Sequence, residues 1–317
     1  MTKYTAAPST DHWPALTYTE LAPTVDYVRR LVQIGGKYTL DQTFEPCWGN
    51  IVLDVTPRGL STPTLRVAGV TFRVHYHLLD ARAMLETSNG TRAIPLRTQS
   101  IADFYAAFVT TAAGLGIPAP RSAIATEIPG AAALDIDGEV RQWEPEAARL
   151  VWSGFNAAAD ALERWQAPYR GHRPRTGVMW GGFDLSATRY RGAALVAPAD
   201  RPVFMQHGMN EEEVALGFTF GSPDSPTATV YAYIAPQPDG MDARSWGTPG
   251  AAWVPAVGLA LLPWRDVIMA PDPTTAIIDF GDAVYGAAVD LAGWPADLTG
   301  PRHDGWHASH MPPSGAS

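Results

Sequence analysis

Trp48-Gly49-Asn50-Ile51-Val52-Leu53-Asp54-Val55-Thr56 returns later in the chain as Trp180-Gly181-Gly182-Phe183-Asp184-Leu185-Ser186-Ala187-Thr188, with four of nine positions identical. An arginine follows each copy, Arg58 and Arg189. Further on, Ile101-Ala102-Asp103-Phe104 is answered by Ile277-Ile278-Asp279-Phe280, preceded by Ile94-Pro95-Leu96 and Leu261-Leu262-Pro263. Two matches in the same order predict an internal duplication. The fold class expected is α+β: two pseudo-symmetric helix–antiparallel sheet–helix repeats packed as one compact unit. In that arrangement Trp48 lies over Trp180 and Thr56 over Thr188.

The periodicities around these motifs carry the same order. Val25, Val28, Leu31 and Val32 fall near helical spacing before Gly35-Gly36, which is expected to end the helix. Val70 to Leu79 alternates, with Phe72, Val74 and Tyr76 on one side and Arg73, His75 and His77 on the other. Asn89-Gly90 signals a hairpin between Met84–Thr87 and Arg92–Leu96. Ser100, with Asp103 three residues on, caps a helix over Phe104 and Phe108. Short links between strands imply antiparallel pairing. The boundaries expected are a first repeat at 14–125, a linker at 126–142, a second repeat at 143–296 and a disordered tail at 297–317. In the second repeat Pro145–Trp165 and Thr274–Ala292 read as helices. Val178–Tyr190, Glu213–Phe220, Thr229–Ile234 and Gly258–Leu262 read as strands.

Composition narrows the function. Across 317 residues, hydrophobic residues make up 46% and charged residues 17%, a globular mixture. The net charge of −9 supplies no basic surface for phosphates, so neither nucleic acid nor an anionic membrane is an expected partner. No apolar run approaches a membrane span of about 20 residues. With one cysteine, Cys47, no intrachain disulfide or cysteine-based zinc cluster can form. The expected location is the cytoplasm. Oligomeric state is not legible.

Trp180-Gly181-Gly182-Phe183-Asp184-Leu185-Ser186-Ala187-Thr188-Arg189-Tyr190 resembles a bacterial family known as domain of unknown function 5996. Trp13-Pro14-Ala15-Leu16, Val55 to Thr62, Ser100 to Tyr105, Tyr231-Ala232-Tyr233 and Leu291-Ala292-Gly293-Trp294 resemble it too, covering about residues 13–296. The resemblance brings no activity with it. It implies histidines where this chain has Cys47, Asn50, Gly177 and Glu211, so this chain is a divergent member that lacks most of them.

Side-chain chemistry offers several candidates. Glu211-Glu212-Glu213 opens a strand; one carboxylate turned inward would serve as a general base with a raised pKa, whereas a solvated charge run is the plain alternative. Asp184 interrupts an apolar strand and must pair if buried. Glu212, Asp184 and His75 are the expected polar participants. Trp48, Trp180, Tyr231, Tyr233, Arg58 and Arg189 are expected to line an enclosed, aromatic, largely apolar pocket between the repeats for a small organic molecule. No metal and no cofactor is expected. The function expected is a small-molecule enzyme or binding protein, possible chemistries being a metal-independent cyclase, isomerase or lyase of secondary metabolism. One alternative is a metal enzyme using His75, His77, Cys47 and a glutamate, Glu86 on the neighbouring strand among the possible ligands. The other is a noncatalytic interaction protein. Cys47 as a nucleophile lacks a base placed by sequence. His303, His307 and His310 have metal-like spacing in a segment rich in proline and glycine.

Overall fold

The computed structural model describes residues 13–196, 199–200 and 203–300. His303, His307 and His310 lie outside the described residues. The chain opens with α1 (Tyr18–Gly36) and a short turn of tight helix at Pro46–Ile51. A first run of strands follows: β1 (Val52–Thr56), β2 (Gly59–Ser61), β3 (Leu65–Val67), β4 (Val70–His77), β5 (Arg82–Thr87) and β6 (Gly90–Pro95). β7 (Gln99–Ser100) leads into α2 (Ile101–Ala113), whose cap is the expected one: the Ser100 hydroxyl accepts from the Asp103 amide at 3.0 Å. β8 (Val140–Arg141), inside the expected linker, pairs with β7.

α3 (Pro145–Gln166) begins the second run, with Pro145 in its first turn. Then come β9 (Gly177–Met179), β10 (Asp184–Ala194), α4 (Val203–Gly208), β11 (Glu211–Thr219), β12 (Thr229–Ala235), β13 (Ala252–Val254), β14 (Leu259–Pro263), α5 (Trp264–Met269) and α6 (Pro273–Ala292). The long strand expected at Val178–Tyr190 is broken. Trp180 to Phe183 form a turn between β9 and β10, with the Phe183 amide bonded to the Met179 carbonyl at 2.7 Å and Phe183 at φ +62°. The glycines expected inside a strand therefore sit in a turn. The β5–β6 hairpin also turns one residue early, closed by Thr87 opposite Gly90.

One mixed helix-and-sheet unit results, and its main sheet is antiparallel throughout. The strand order is β13-β14-β12-β11-β10-β9-β1-β2-β4-β5-β6, with β3 on β4. Each run is largely a meander, broken where β2 pairs with β4 and where β14 lies between β12 and β13, and the two join where β1 meets β9 through Val52 opposite Met179 and Leu53 opposite Val178. Gly177 permits this approach, since a Cβ there would lie 2.6 Å from the Leu53 carbonyl oxygen. β1 and β10 both run antiparallel to β9, so they run parallel to each other.

Packing separates the two faces of the sheet. α1, α2, α3 and α6 gather on one face, against Leu53, Leu60, Val74, Tyr76, Leu85, Leu185, Leu216, Phe218, Val230 and Ala232, all buried. Burial of this kind stabilises by about 25 cal/mol per Å² of apolar area. α3 spans the junction and touches β1, β10 and β11. Its Trp152 Nε1 donates to the Thr56 carbonyl at 2.8 Å. The other face holds the alternate positions, where the chemistry lies.

Candidate functional site

Strand alternation decides which acidic residue faces where. Glu213 lies opposite Tyr190 on β10 and Ala235 on β12. On the face away from the helices, β11 presents Glu211, Glu213, Ala215 and Gly217. β10 presents Asp184 and Tyr190 there, and β12 presents Tyr231 and Tyr233. Gly217 matters because the Tyr231 ring crosses over it: a Cβ at Gly217 would fall 2.3 Å from Tyr231 Cζ. Crossing β11 brings the Tyr231 hydroxyl to Asp184, to which it donates a short hydrogen bond. One step along, the Tyr233 hydroxyl donates to Glu213 Oε1 at 2.9 Å.

Glu213 is 2% exposed, and among the described residues no lysine, arginine or histidine forms an ion pair with it. Burial without a counter-charge pushes its carboxyl up to about 7; hydrogen bonds from Tyr233 and Tyr190 oppose that rise and the nearby charge of Glu211 adds to it. Burial likewise raises Asp184, with the Tyr231 hydrogen bond and the charge of Arg29 pulling the other way. Tyr231 and Tyr233 are held well above their ordinary value by burial and by the carboxylates they serve. These phenols stay protonated, as donors.

From Glu213 the polar chain continues outward. Tyr190 interacts with both Glu213 and Cys47. The Cys47 thiol donates to Asn210 Oδ1 at 3.4 Å and lies 3.9 Å from Glu211 Oε2. Burial pushes this thiol up to about 12, which leaves it neutral and a poor nucleophile. Glu211 accepts from the Gly192 amide at 2.8 Å and stands 3.7 Å from His172 Nδ1. His172 stacks on Tyr190 at 5.0 Å between centroids and reaches Glu45 at 4.0 Å. Cys47 and Trp48 are held in the left-handed region, at φ +61° and +58°, a conformation that costs about 1–3 kcal/mol each and clusters at functional sites. Cys47 and Glu211, two positions where the resemblance implies histidine, thus stand side by side.

The structure separates the residues expected from sequence. Asp184, Tyr231 and Tyr233 share this face. Glu212, the neighbour of Glu213, points to the opposite side and pairs with Arg191 at 2.7 Å. Glu213 carries the environment expected of Glu212; the run of three glutamates gave no sign of register, and only the position of Tyr190 across the strand decides it. Arg189 also faces the helices. It is fully buried, 3.9 Å from the Trp165 ring and 4.9 Å from the Tyr285 ring, and donates to the Trp165 carbonyl. Its partners are structural rather than Asp184.

Trp180 is buried at the end of α1. Its Nε1 donates to Thr39 Oγ1 at 3.1 Å, and Lys37 Nζ lies 4.8 Å from its ring. Burial lowers Lys37 to about 8, opposed by Glu127. Gly181 and Gly182 leave room for the Glu127 carboxyl, which turns inward although the residue as a whole is exposed. Trp48 has other neighbours, Phe44 at 5.1 Å and His207 at 6.0 Å. The tryptophans therefore serve different places. Arg58 pairs with Asp80 in the turn beyond β1. His75 Nε2 lies 2.9 Å from Glu86, and His77 lies 3.6 Å from Asp80.

Among the described residues no three His, Cys, Asp or Glu side chains are grouped as metal ligands, so His75, His77 and Cys47 do not form the alternative metal set. Among the described residues two open clefts stand out. One, about 240 Å³, is lined by Glu45, Gly49, Asn50, Arg66 and Arg175, beside the Glu45 end of the polar chain. The other, about 550 Å³, lies by Asp266, Met269 and Asp272, away from these carboxylates. Neither is the enclosed apolar pocket expected between the repeats. Among the described residues no helix is long and apolar enough to cross a membrane.

No curated protein and no solved structure matches the chain. A family model described as "Family of unknown function (DUF5996)" matches residues 13–300. That match spans nearly the whole described chain, and the chain belongs to this family.

Proposed function

We propose that the face of β10–β12 turned away from α1, α2, α3 and α6 is the site of a small-molecule enzyme that works by acid–base chemistry without a metal, with Glu213 as the proton carrier. The observation that supports this most is a carboxyl 2% exposed and held by phenol donors, with no cation paired to it among the described residues; burial pushes it up to about 7. A group poised near the working pH is the best general acid or base, because both protonation states are populated. Asp184, bonded to Tyr231, is the second candidate. Tyr190 and Tyr233 position Glu213. Isomerisation, elimination and cyclisation, which need one group to take a proton and return it, are the reaction classes that fit. A cytoplasmic location and a small organic ligand belong to the same reading.

The test begins with the acid. Carbon-13 NMR of glutamate-labelled protein should show Glu213 titrating near pH 7. Thermal-shift screening of small metabolites against wild type and Glu213→Gln should then find ligands whose stabilisation depends on Glu213. A Glu213 that titrates as an ordinary glutamate would sink the proposal.

Internal duplication is supported by the shared order of helix, antiparallel meander and helix. Strand directions do not fit the sequence match: a twofold axis normal to the sheet relates antiparallel strands, so it would pair β1 with β9 rather than with β10, where Thr56 is expected over Thr188. Residues 1–142 expressed alone should then stay unfolded, since α3 covers their strands; a dispersed NMR spectrum from that half would argue against a shared unit.

A further inference from the structure

We propose that the cleft of about 240 Å³ beside Glu45, Arg66 and Arg175 binds a small zwitterion, an α-amino acid held by its carboxylate and its ammonium group. The site stands apart from Glu213 and does not depend on how that carboxyl titrates.

Most polar groups in the walls are spent on holding the walls together. Gln42 ties one side to the other: its Nε2 donates to the Tyr38 carbonyl at 3.0 Å, and its Oε1 accepts from the Arg66 amide at 2.9 Å. Asn50 closes its own loop, donating to the Thr39 carbonyl at 3.0 Å and accepting from the Glu45 amide at 3.2 Å. Thr64 Oγ1 accepts from Arg73 Nε at 3.0 Å. Left-handed Cys47 and Trp48 turn the chain so that the Glu45 carboxyl folds back over Gly49, where a Cβ would lie 2.5 Å from its Cδ. Backbone held in that region clusters at ligand clamps.

Three charged groups are left to face the cleft. Among the described residues the exposed Arg66 guanidinium makes no ion pair or hydrogen bond; only its backbone is engaged. Arg175 donates from one nitrogen to Asp54, and among the described residues its other nitrogens are uncommitted. The Glu45 carboxylate has His172 at 4.0 Å, beyond hydrogen-bond reach.

Fixed charges of both signs in one small cleft select the ligand. A guanidinium fork takes a carboxylate through two parallel hydrogen bonds. A plain anion gains that contact but meets Glu45. A plain amine gains Glu45 but meets two guanidiniums. A molecule with both groups satisfies both, and like-charge contact rejects the others. Volume sets the size: the cleft is smaller than the roughly 300–1,000 Å³ of pockets for drug-sized molecules, so one small amino acid fills it. Thr43 and Thr64 in the lining suit a short polar side chain.

The full chain is titrated with L-serine, 3-hydroxypropanoate and ethanolamine, which carry both charged groups, the carboxylate alone and the amine alone. Nitrogen-15 NMR shifts of the Gly49, Asn50 and Arg66 amides report binding. Serine should bind about tenfold more tightly than either fragment. Arg66→Gln should weaken serine about tenfold and leave ethanolamine no weaker. Glu45→Gln should weaken serine by a similar factor and leave 3-hydroxypropanoate no weaker. Arg66→Gln keeps the backbone bonds to Gln42 and therefore the fold, so it carries the test if Glu45→Gln unfolds. No saturable shift with serine up to about 20 mM would overturn the proposal. So would a fragment that binds as tightly as serine, or a serine affinity unchanged in Arg66→Gln.

Discussion

Replacing Glu213 by glutamine should stabilise the protein in alkaline conditions and change little in acid. The folded protein raises this carboxyl from 4.5 to about 7, so between those values it holds a proton that the unfolded chain has released. Stability falls wherever the folded state binds more protons than the unfolded state as pH rises. The cost is absent below 4.5, grows through the window and is complete above 7. At about 1.36 kcal/mol per unit, 2.5 units amount to about 3 kcal/mol. Glutamine keeps the shape and an acceptor oxygen for Tyr233, and has no charge to desolvate. Urea unfolding followed by tryptophan fluorescence at pH 5 and pH 8 gives the comparison, with the slope checked for constancy. The variant should gain about 3 kcal/mol over wild type at pH 8 and stay within about 1 kcal/mol at pH 5. An equal difference at both values would refute the reasoning, because the cost would then not come from ionisation.

Gly217→Ala would place a methyl 2.3 Å from Tyr231 Cζ and 2.7 Å from the Leu185 carbonyl oxygen; urea unfolding should show a loss of about 1–3 kcal/mol, and no loss would mean that the ring does not cross that strand. Cys47, 5% exposed and with a thiol pushed up to about 12, should resist iodoacetamide at pH 7.5 and react quickly in urea; equal rates in the two states would contradict the burial. Lys37 shares the chain with one other lysine, Lys3, so its ε-carbon resonance is assignable; it should titrate near pH 8, and a titration above pH 10 would remove the desolvation by the Trp180 pocket.

Local patterns in the sequence carried over well. The alternation of Phe72, Val74 and Tyr76 against Arg73, His75 and His77 is the division between the sheet's two faces, because period two is a property of the strand itself. Ser100 caps α2 as its spacing requires. Errors came where tertiary contacts decide. Val178 to Tyr190 reads as one strand, yet the left-handed Phe183 and the room needed by Glu127 make Trp180–Phe183 a turn. In the site, Asp184, Tyr231 and Tyr233 were legible as polar or aromatic residues in apolar strands. Glu213 was visible only as one of three glutamates, since its identity depends on register with Tyr190. His172 gave no local signal at all, and Tyr190 showed only as the end of a strand and of the Trp180 motif; they join the cluster through the fold.

Ten strand-to-strand steps separate the two edges of the main sheet, β13 and β6. At a typical rotation of about 20–25° per step, the ribbon winds through more than half a revolution. Five of those steps lie between β4 and β11, so the ground beneath His75 and the ground beneath Glu213 look out roughly at right angles. A drawing that flattens the sheet puts the basic and acidic patches on one plane, as if a single visitor could span them. On the wound surface they are separate frontages, and whatever approaches one does not see the other.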